Sequence, residues 1–232
     1  MTSARQQFAA PSGVAAGREL WRAGGLSMGP LVVLGMARFA YALLLPSMRA
    51  DLGWSYTQAG TLNAANAVGY LLGAAVALPL IRAAGARTAF LGGLVLTAAC
   101  LLGCAATTSF AMLAMLRLGA GVTGAVAFVA GAGLAVQAGA HLQPGRAAML
   151  LGIFVAGGGL GILLSGAGIP PLLATLGPEV GWRAGWLLLG LASVVAVVPA
   201  ATATRGLQPP PAEPTGKQRA RERQRLAATT LA

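Results

Sequence analysis

The stretch VVLGMARFAYALLLPSMRADLGWS, Val32–Ser55, decides how the rest of the chain is read. Its apolar residues are continuous rather than alternating. They run for about the twenty residues that a helix rising about 1.5 Å per residue needs to cross a hydrocarbon core of about 30 Å. Arg38 stands in the middle, with Arg22 and Arg49 as its nearest charged neighbours along the chain. A cation so placed has to face something other than lipid.

The same texture extends outward through all 232 residues, of which 56% are hydrophobic and 9% charged, with mean hydropathy +0.74. A soluble domain is about one quarter charged, so a water-soluble core is excluded. Apolar runs separated by turn residues predict six helices: Met28–Met48, Thr57–Leu80, Thr88–Thr107, Phe110–Gly139, Ala147–Ile169 and Ala184–Thr202. The breaks fall at Asp51-Leu52-Gly53, Gly85, Thr107–Ser109, Pro144-Gly145, and Pro170-Pro171 through Gly177-Pro178, where turn chemistry is expected. The predicted fold is all-α and polytopic. A tail spans residues 1–27, a six-helix membrane domain residues 28–202, and a disordered Pro-rich and basic tail residues 203–232. The 27 residues ahead of the first run place it too deep for a cleaved signal peptide, so it is read as a retained helix.

A net charge of +11 raises nucleic acid as a partner, but the positions of the charges decide. Arg5, Arg18, Arg22, Arg82, Arg87, Arg146, Arg205, Lys217, Arg219, Arg221, Arg223 and Arg225 share one side of a six-span topology; Arg49 and Arg183 lie on the other. This is the positive-inside pattern, and it puts both termini in the cytoplasm of a bacterial inner membrane. No nucleic acid is needed to account for the charge. The partner it implies is the lipid bilayer, and the basic end of the tail suits anionic headgroups. Cys100 and Cys104 share one face of an apolar run and behave as small hydrophobes. With one histidine in the chain, neither a metal nor another cofactor is expected.

Two motifs from soluble proteins are set aside. Gly119-Ala-Gly121-Val-Thr-Gly124 fits GxGxxG but follows no strand, and the glycines at 157, 158, 159 and 161 have no strand-to-helix turn to cradle a phosphate. Small residues four apart let helices approach closely in lipid, which assigns Gly69 and Gly73, and Gly157 and Gly161, to helix packing or flexing. Ser165 and His141 bring an intramembrane serine protease to mind, but His141 sits at a loop boundary with no hydroxyl in reach. The chain is therefore not read as an enzyme.

The candidate binding residues are polar groups at membrane depth. Asn63 and Asn66, three apart, share a face of the second span, and Gln137 lies late in the fourth. An Arg at mid-membrane costs about 2.5 to 3.5 kcal/mol on insertion scales, so Arg38 and Arg117 should face a bundle interior or a wet cavity. Tyr41, three residues after Arg38, joins them on the first helix. The five acids, Glu19, Asp51, Glu179, Glu213 and Glu222, all lie outside the predicted spans. Each buried Arg must then find carbonyls, water, an anionic ligand, or a carboxylate from another chain or segment.

Gly35 to Ala74 resembles the first two helices of the YbfB/YjiJ-like branch of the major facilitator superfamily. Arg117-Leu-Gly-Ala-Gly121 is similar to the superfamily's R-x-x-x-G motif on the fourth helix, and Gly181-Trp182-Arg183-Ala184-Gly185-Trp186 to its G-W-R-x-x-aromatic motif at the start of the sixth. The loop after the second helix departs: Arg82 stands where the motif has Asp, and Leu78 where it has Gly. The resemblance implies half of a twelve-helix transporter, built as two inverted three-helix repeats, with Arg38 and Arg117 lining a central cavity. Met36-Ala-Arg38-Phe39 and Met115-Leu-Arg117-Leu118 echo that repeat.

The function expected is secondary transport of a small organic solute by alternating access, coupled to a proton, and the uncompensated Arg38 and Arg117 suggest an anionic one. A second reading is a non-transporting remnant of a truncated gene, or a membrane scaffold. A third is a half-size transporter acting as a homodimer. Truncation, with a missing carboxy-terminal half, is favoured over a second copy.

Overall fold

A computed structural model describes residues 13–140 and 142–207, with side chains from residue 17 onward. His141, the first twelve residues and the tail beyond residue 207 fall outside the described residues. Helices α1 (Gly13–Pro30), α2 (Tyr41–Leu52), α3 (Tyr56–Ala84), α4 (Ala86–Ala105), α5 (Phe110–Gly139) and α6 (Pro144–Ala203) follow in order, with a π-helical stretch, Leu31–Phe39, joining α1 to α2. Five helical rods among the described residues are long and apolar enough to cross a membrane. The chain is a multi-pass membrane protein.

Local chemistry sets the ends of these rods. Gly53 closes α2 with φ 64°, a left-handed cap that a side chain resists. Ser55 and Gln58 then form a capping box at the start of α3, the Ser55 hydroxyl accepting from the Gln58 backbone N–H and the Gln58 side-chain Oε1 from the Ser55 N–H. Gly85, at φ 83°, turns the chain into α4. The Phe110–Gly139 bounds match the sequence reading.

Two elements differ from expectation. The first rod begins at Gly13 rather than Met28 and spans Gly17–Leu52 as a membrane-length unit. Its added turns earn a place in the core, since Ala23 and Leu26 are buried. The predicted fifth and sixth spans form one 60-residue element, α6, interrupted at Gly177 with φ 72° and ψ 175°. That region is open essentially to glycine alone, and Pro178 after it is suited to a first helical position. The chain reverses there. Gly168 lies against Leu188, Gly185 against Ile169, and Gly181 against Leu173, so residues 144–176 and 178–203 pack as antiparallel limbs. Glu19, Asp51 and Glu179, expected outside the spans, lie near ends of these longer helices.

Glycine contacts give the fold its internal symmetry. A Cβ on Gly69 would strike the Leu118 carbonyl oxygen, and one on Gly73 the Val122 carbonyl oxygen. On the other side of the bundle, Gly157 abuts the Ser27 carbonyl oxygen and Gly161 that of Leu31. Two pairs of glycines four apart thus dock on two pairs of carbonyls four apart, once between α3 and α5 and once between α6 and the first rod. This is the contact pattern of an inverted repeat, and it sets the register. With Leu118 equivalent to Ser27, Arg117 is equivalent to Leu26 and Arg38 to Val129. The Met-x-Arg echo therefore lies out of register with the repeat.

The two rims are tied differently. At one, Arg87 Nε donates to Thr204 Oγ1 at 3.2 Å, and Gly25 packs on Pro199 and Ala203. At the other, Trp182 Nε1 donates to Asp51 Oδ2 at 2.7 Å and Ser47 Oγ to the Pro178 carbonyl oxygen at 2.9 Å. These bonds fasten the end of α2 to the turn of α6.

Candidate functional site

The π-helical stretch is the structural centre of the site. In a π turn an N–H reaches back five residues, which widens the helix, and such turns cluster at functional positions. Here the Ala40 N–H bonds the Gly35 carbonyl oxygen at 3.1 Å. Gly35 is also where the first rod crosses α6 against Gly161, backbone to backbone. The stretch carries Ala37 and Arg38, whose surroundings differ sharply.

Arg117, on α5, is 1% exposed. Its Nη1 donates to the Ala37 carbonyl oxygen. Its guanidinium carbon lies 4.7 Å from the centroid of the Tyr41 ring and 5.5 Å from that of Trp186. Those two rings stack at 6.3 Å with 23° between their planes. Electron-rich ring faces favour a desolvated cation, so the aromatic pair offsets part of the cost of burial. Tyr41 is held by its hydroxyl, which donates to the Ala59 carbonyl oxygen at 2.9 Å, while Asn66 Nδ2 donates to the Arg117 carbonyl oxygen at 3.0 Å. The cluster around Arg117 thereby gathers the first rod, α3, α5 and the second limb of α6. Arg117 Nε and Nη2 and Trp186 Nε1 have no hydrogen-bond partner among the described residues.

Arg38 is half-buried and its guanidinium carbon lies 5.3 Å from the Tyr70 ring centroid on α3. It forms no ion pair with any described residue. Beside it runs an open stripe of the first rod, with Phe39, Ala42 and Pro46 exposed. Asn63 is exposed on α3, seven residues before Tyr70 and so on the same helical face.

Residues 30–232 match the family described as uncharacterised MFS-type transporter YbfB. The chain belongs to this family of MFS-type transporters. It is also similar to a chloramphenicol resistance protein of Streptomyces lividans, with 35% identity over 157 residues that cover 65% of this chain and 37% of that protein. The chain thus spans less than half the length of that relative. The family is one of transporters, not enzymes.

In this MFS-type chain the residues singled out from sequence are dispersed. Arg117, Tyr41 and Asn66 meet in one buried cluster, with Arg38 one residue along from the Ala37 carbonyl. Asn63 parts from Asn66, the first exposed and the second buried, because a three-residue offset turns the two side chains about 60° apart around the helix. Gln137, half-buried, stands twenty residues along α5 from Arg117, about 30 Å away at helical rise, and is not part of the cluster. The four glycines lie at the α3–α5 and α6–first-rod crossings described above. Sequence reasoning missed Trp186 and Tyr70. Each had a signal: Trp186 follows Trp182 by four in the quoted G-W-R motif, and Tyr70 follows Asn66 by four.

Proposed function

We propose that the chain is a six-helix half of a proton-coupled secondary transporter in a bacterial inner membrane, both termini cytoplasmic, in which Arg38 receives an acidic group of a small organic solute. The observation that carries this reading is the difference between the two arginines. Arg117 is enclosed by Ala37, Tyr41 and Trp186, whereas Arg38 is half-buried beside an open stripe with no ion pair among the described residues. A desolvated cation without a counter-charge attracts an anion more strongly than one in water. Tyr70 backs the guanidinium, and Asn63 offers an amide on the same face.

The remaining wall of the cavity is supplied by six further helices, from a longer chain or from a second copy. Rocking of one half against the other would alternate access to Arg38.

A second reading is export of an uncharged drug-like solute, which the name of the Streptomyces lividans relative favours. One experiment separates the two. Proteoliposomes carrying the complete transporter unit are assayed for uptake of a panel of carboxylated solutes and of chloramphenicol, with Arg38→Gln and Arg38→Lys. Loss of carboxylate uptake in Arg38→Gln with partial retention in Arg38→Lys supports the proposal. Unchanged carboxylate uptake in Arg38→Gln rejects it, and chloramphenicol movement indifferent to Arg38 favours the second reading.

A further inference from the structure

The first rod and α3 run antiparallel, joined by a short turn at residues 53–55, and two arginine–tyrosine pairs bridge them. Arg38 lies over the Tyr70 ring at 5.3 Å, and Arg49, in the last turn of α2, over the Tyr56 ring at 3.8 Å. The spacing on each helix is regular. Arg38 and Arg49 are about three turns apart, about 16 Å at helical rise. Tyr56, Asn63 and Tyr70 recur at heptad spacing, so all three share one face of α3. Between the pairs the rod presents Ala42 and Pro46, both exposed, and α3 presents the exposed Asn63. The result is a cleft with one cation–aromatic pair at depth, a second at its mouth, and an amide midway.

Stacking uses the face of a guanidinium and leaves its edge, a fork of N–H donors that matches a carboxylate. Neither Arg38 nor Arg49 has a hydrogen bond or ion pair for that edge among the described residues. Asp51, two residues beyond Arg49, turns instead to Trp182 on α6. Arg183, the other described cation at this rim, is engaged: it lies over the Trp182 ring and donates to the Ala105 carbonyl oxygen at 3.5 Å. A cation at the end of α2 also meets the negative end of that helix's dipole. That accounts for the charge of Arg49, but it leaves the fork, and the 79% exposed ring beneath it, without a use.

We propose that Arg49 and Tyr56 form a second anion site, which takes the carboxylate of an organic acid at the mouth of the cleft ahead of Arg38 and Tyr70. This role rests on the acid-receiving Arg38 proposed above, and with that topology the mouth is the non-cytoplasmic rim. The two sites repeat one chemistry, a guanidinium fork backed by a tyrosine ring, so an acid that suits one suits the other. Asn63, between the two tyrosines on the same face, offers an amide N–H along the way. The rim site is the more solvated and therefore the weaker, which favours movement of a captured acid inward.

The test uses the full chain in neutral detergent micelles, with trifluoroacetate as the probe and trifluoroacetamide as its uncharged match, binding being read from line broadening in fluorine NMR. The parent chain should broaden trifluoroacetate and leave trifluoroacetamide sharp. At saturating probe, Arg49→Gln should remove about half of the broadening, the share of one of two forks. Arg49→Lys, which keeps the charge without the fork, should retain part of it, and Tyr56→Leu should weaken the rim site severalfold by removing the ring. Helical circular dichroism should be unchanged in all three, since Tyr56 is exposed and Arg49 lies at a helix end. Broadening lost in Arg38→Gln but kept in full by Arg49→Gln overturns the rim site and leaves Arg38 standing. Broadening lost in Arg49→Gln but untouched by Arg38→Gln supports the rim site and rejects instead the reading of Arg38. Equal broadening of the two probes by the parent chain overturns both.

Discussion

The bond between Trp182 and Asp51 makes a quantitative claim on how the bundle is held shut at one rim. Trp182 is fully buried, and its Nε1 reaches the half-buried Asp51 carboxylate at 2.7 Å. Hydrogen bonds to a charged group contribute about 1.5 to 3 kcal/mol net. Partial exposure of Asp51 argues for the lower half of that range. Trp182→Phe removes the donor and some ring surface; Asp51→Ala removes the acceptor and its charge. Neither single variant isolates the bond, because Trp182 also lies 4.6 Å beneath the Arg183 guanidinium carbon. The double-mutant cycle does: with the pair intact, the coupling energy should be about 1.5 kcal/mol. The assay is equilibrium unfolding in mixed micelles of increasing SDS fraction, followed by helical circular dichroism rather than by the fluorescence of the tryptophan being removed. Additivity within about 0.5 kcal/mol, the scatter of independent sites, would show that the bond does not fasten α2 to the turn of α6.

Three further outcomes follow from the geometry. Gly161→Leu should cost more than the 1 to 3 kcal/mol of ordinary overpacking, because its Cβ meets the Leu31 carbonyl rather than a movable side chain. Gly159→Leu, with nothing within 4 Å, should be neutral, and the monodisperse fraction in size-exclusion chromatography reads the contrast. Gly177→Ala forces a side chain into φ 72°, ψ 175° and should lower stability by about 1 to 3 kcal/mol, seen as an earlier loss of helical signal on titration with SDS. Arg117→Gln should destabilise the bundle in the same titration, since it strips the Ala37 carbonyl of its donor and the stacked rings of their cation. Arg38→Gln should stay within about 0.5 kcal/mol of the parent, as substitutions outside packed networks do.

Much of this fold was legible from hydropathy, because lipid forces every main-chain polar group into a helix and leaves long apolar runs as the trace. The bounds of α5 were read without error for that reason. The first rod was read short because Arg18, Glu19 and Arg22 interrupt its apolar run, although Ala23 and Leu26 on the same turns are buried. A helix that passes beyond the hydrocarbon needs only one apolar face, which an average over a window does not report. The π stretch left no such trace. It is a shift in hydrogen-bond partner, from four residues back to five, made without any change in residue type. The cluster at Arg117 was half legible: a cation at depth demands partners, but which carbonyl and which rings answer it depends on how four helices converge.

The inverted repeat sharpens what the two arginines are for. A residue required by the scaffold should occur at both equivalent positions, and the glycines behave so: Gly69 is matched by Gly157 and Gly73 by Gly161, each pair set against carbonyls four apart. In that register the counterpart of Arg117 is Leu26, which is fully buried, and the counterpart of Arg38 is Val129. Neither charge is repeated, so neither is demanded by the packing that both halves share. Arg117 answers a local need, joining the π stretch to α5 through Ala37 and supporting the Tyr41–Trp186 stack. Arg38 has no comparable use within the described residues beyond its contact with Tyr70. That absence of a shared structural role supports the proposal that Arg38 receives the acidic group of a solute.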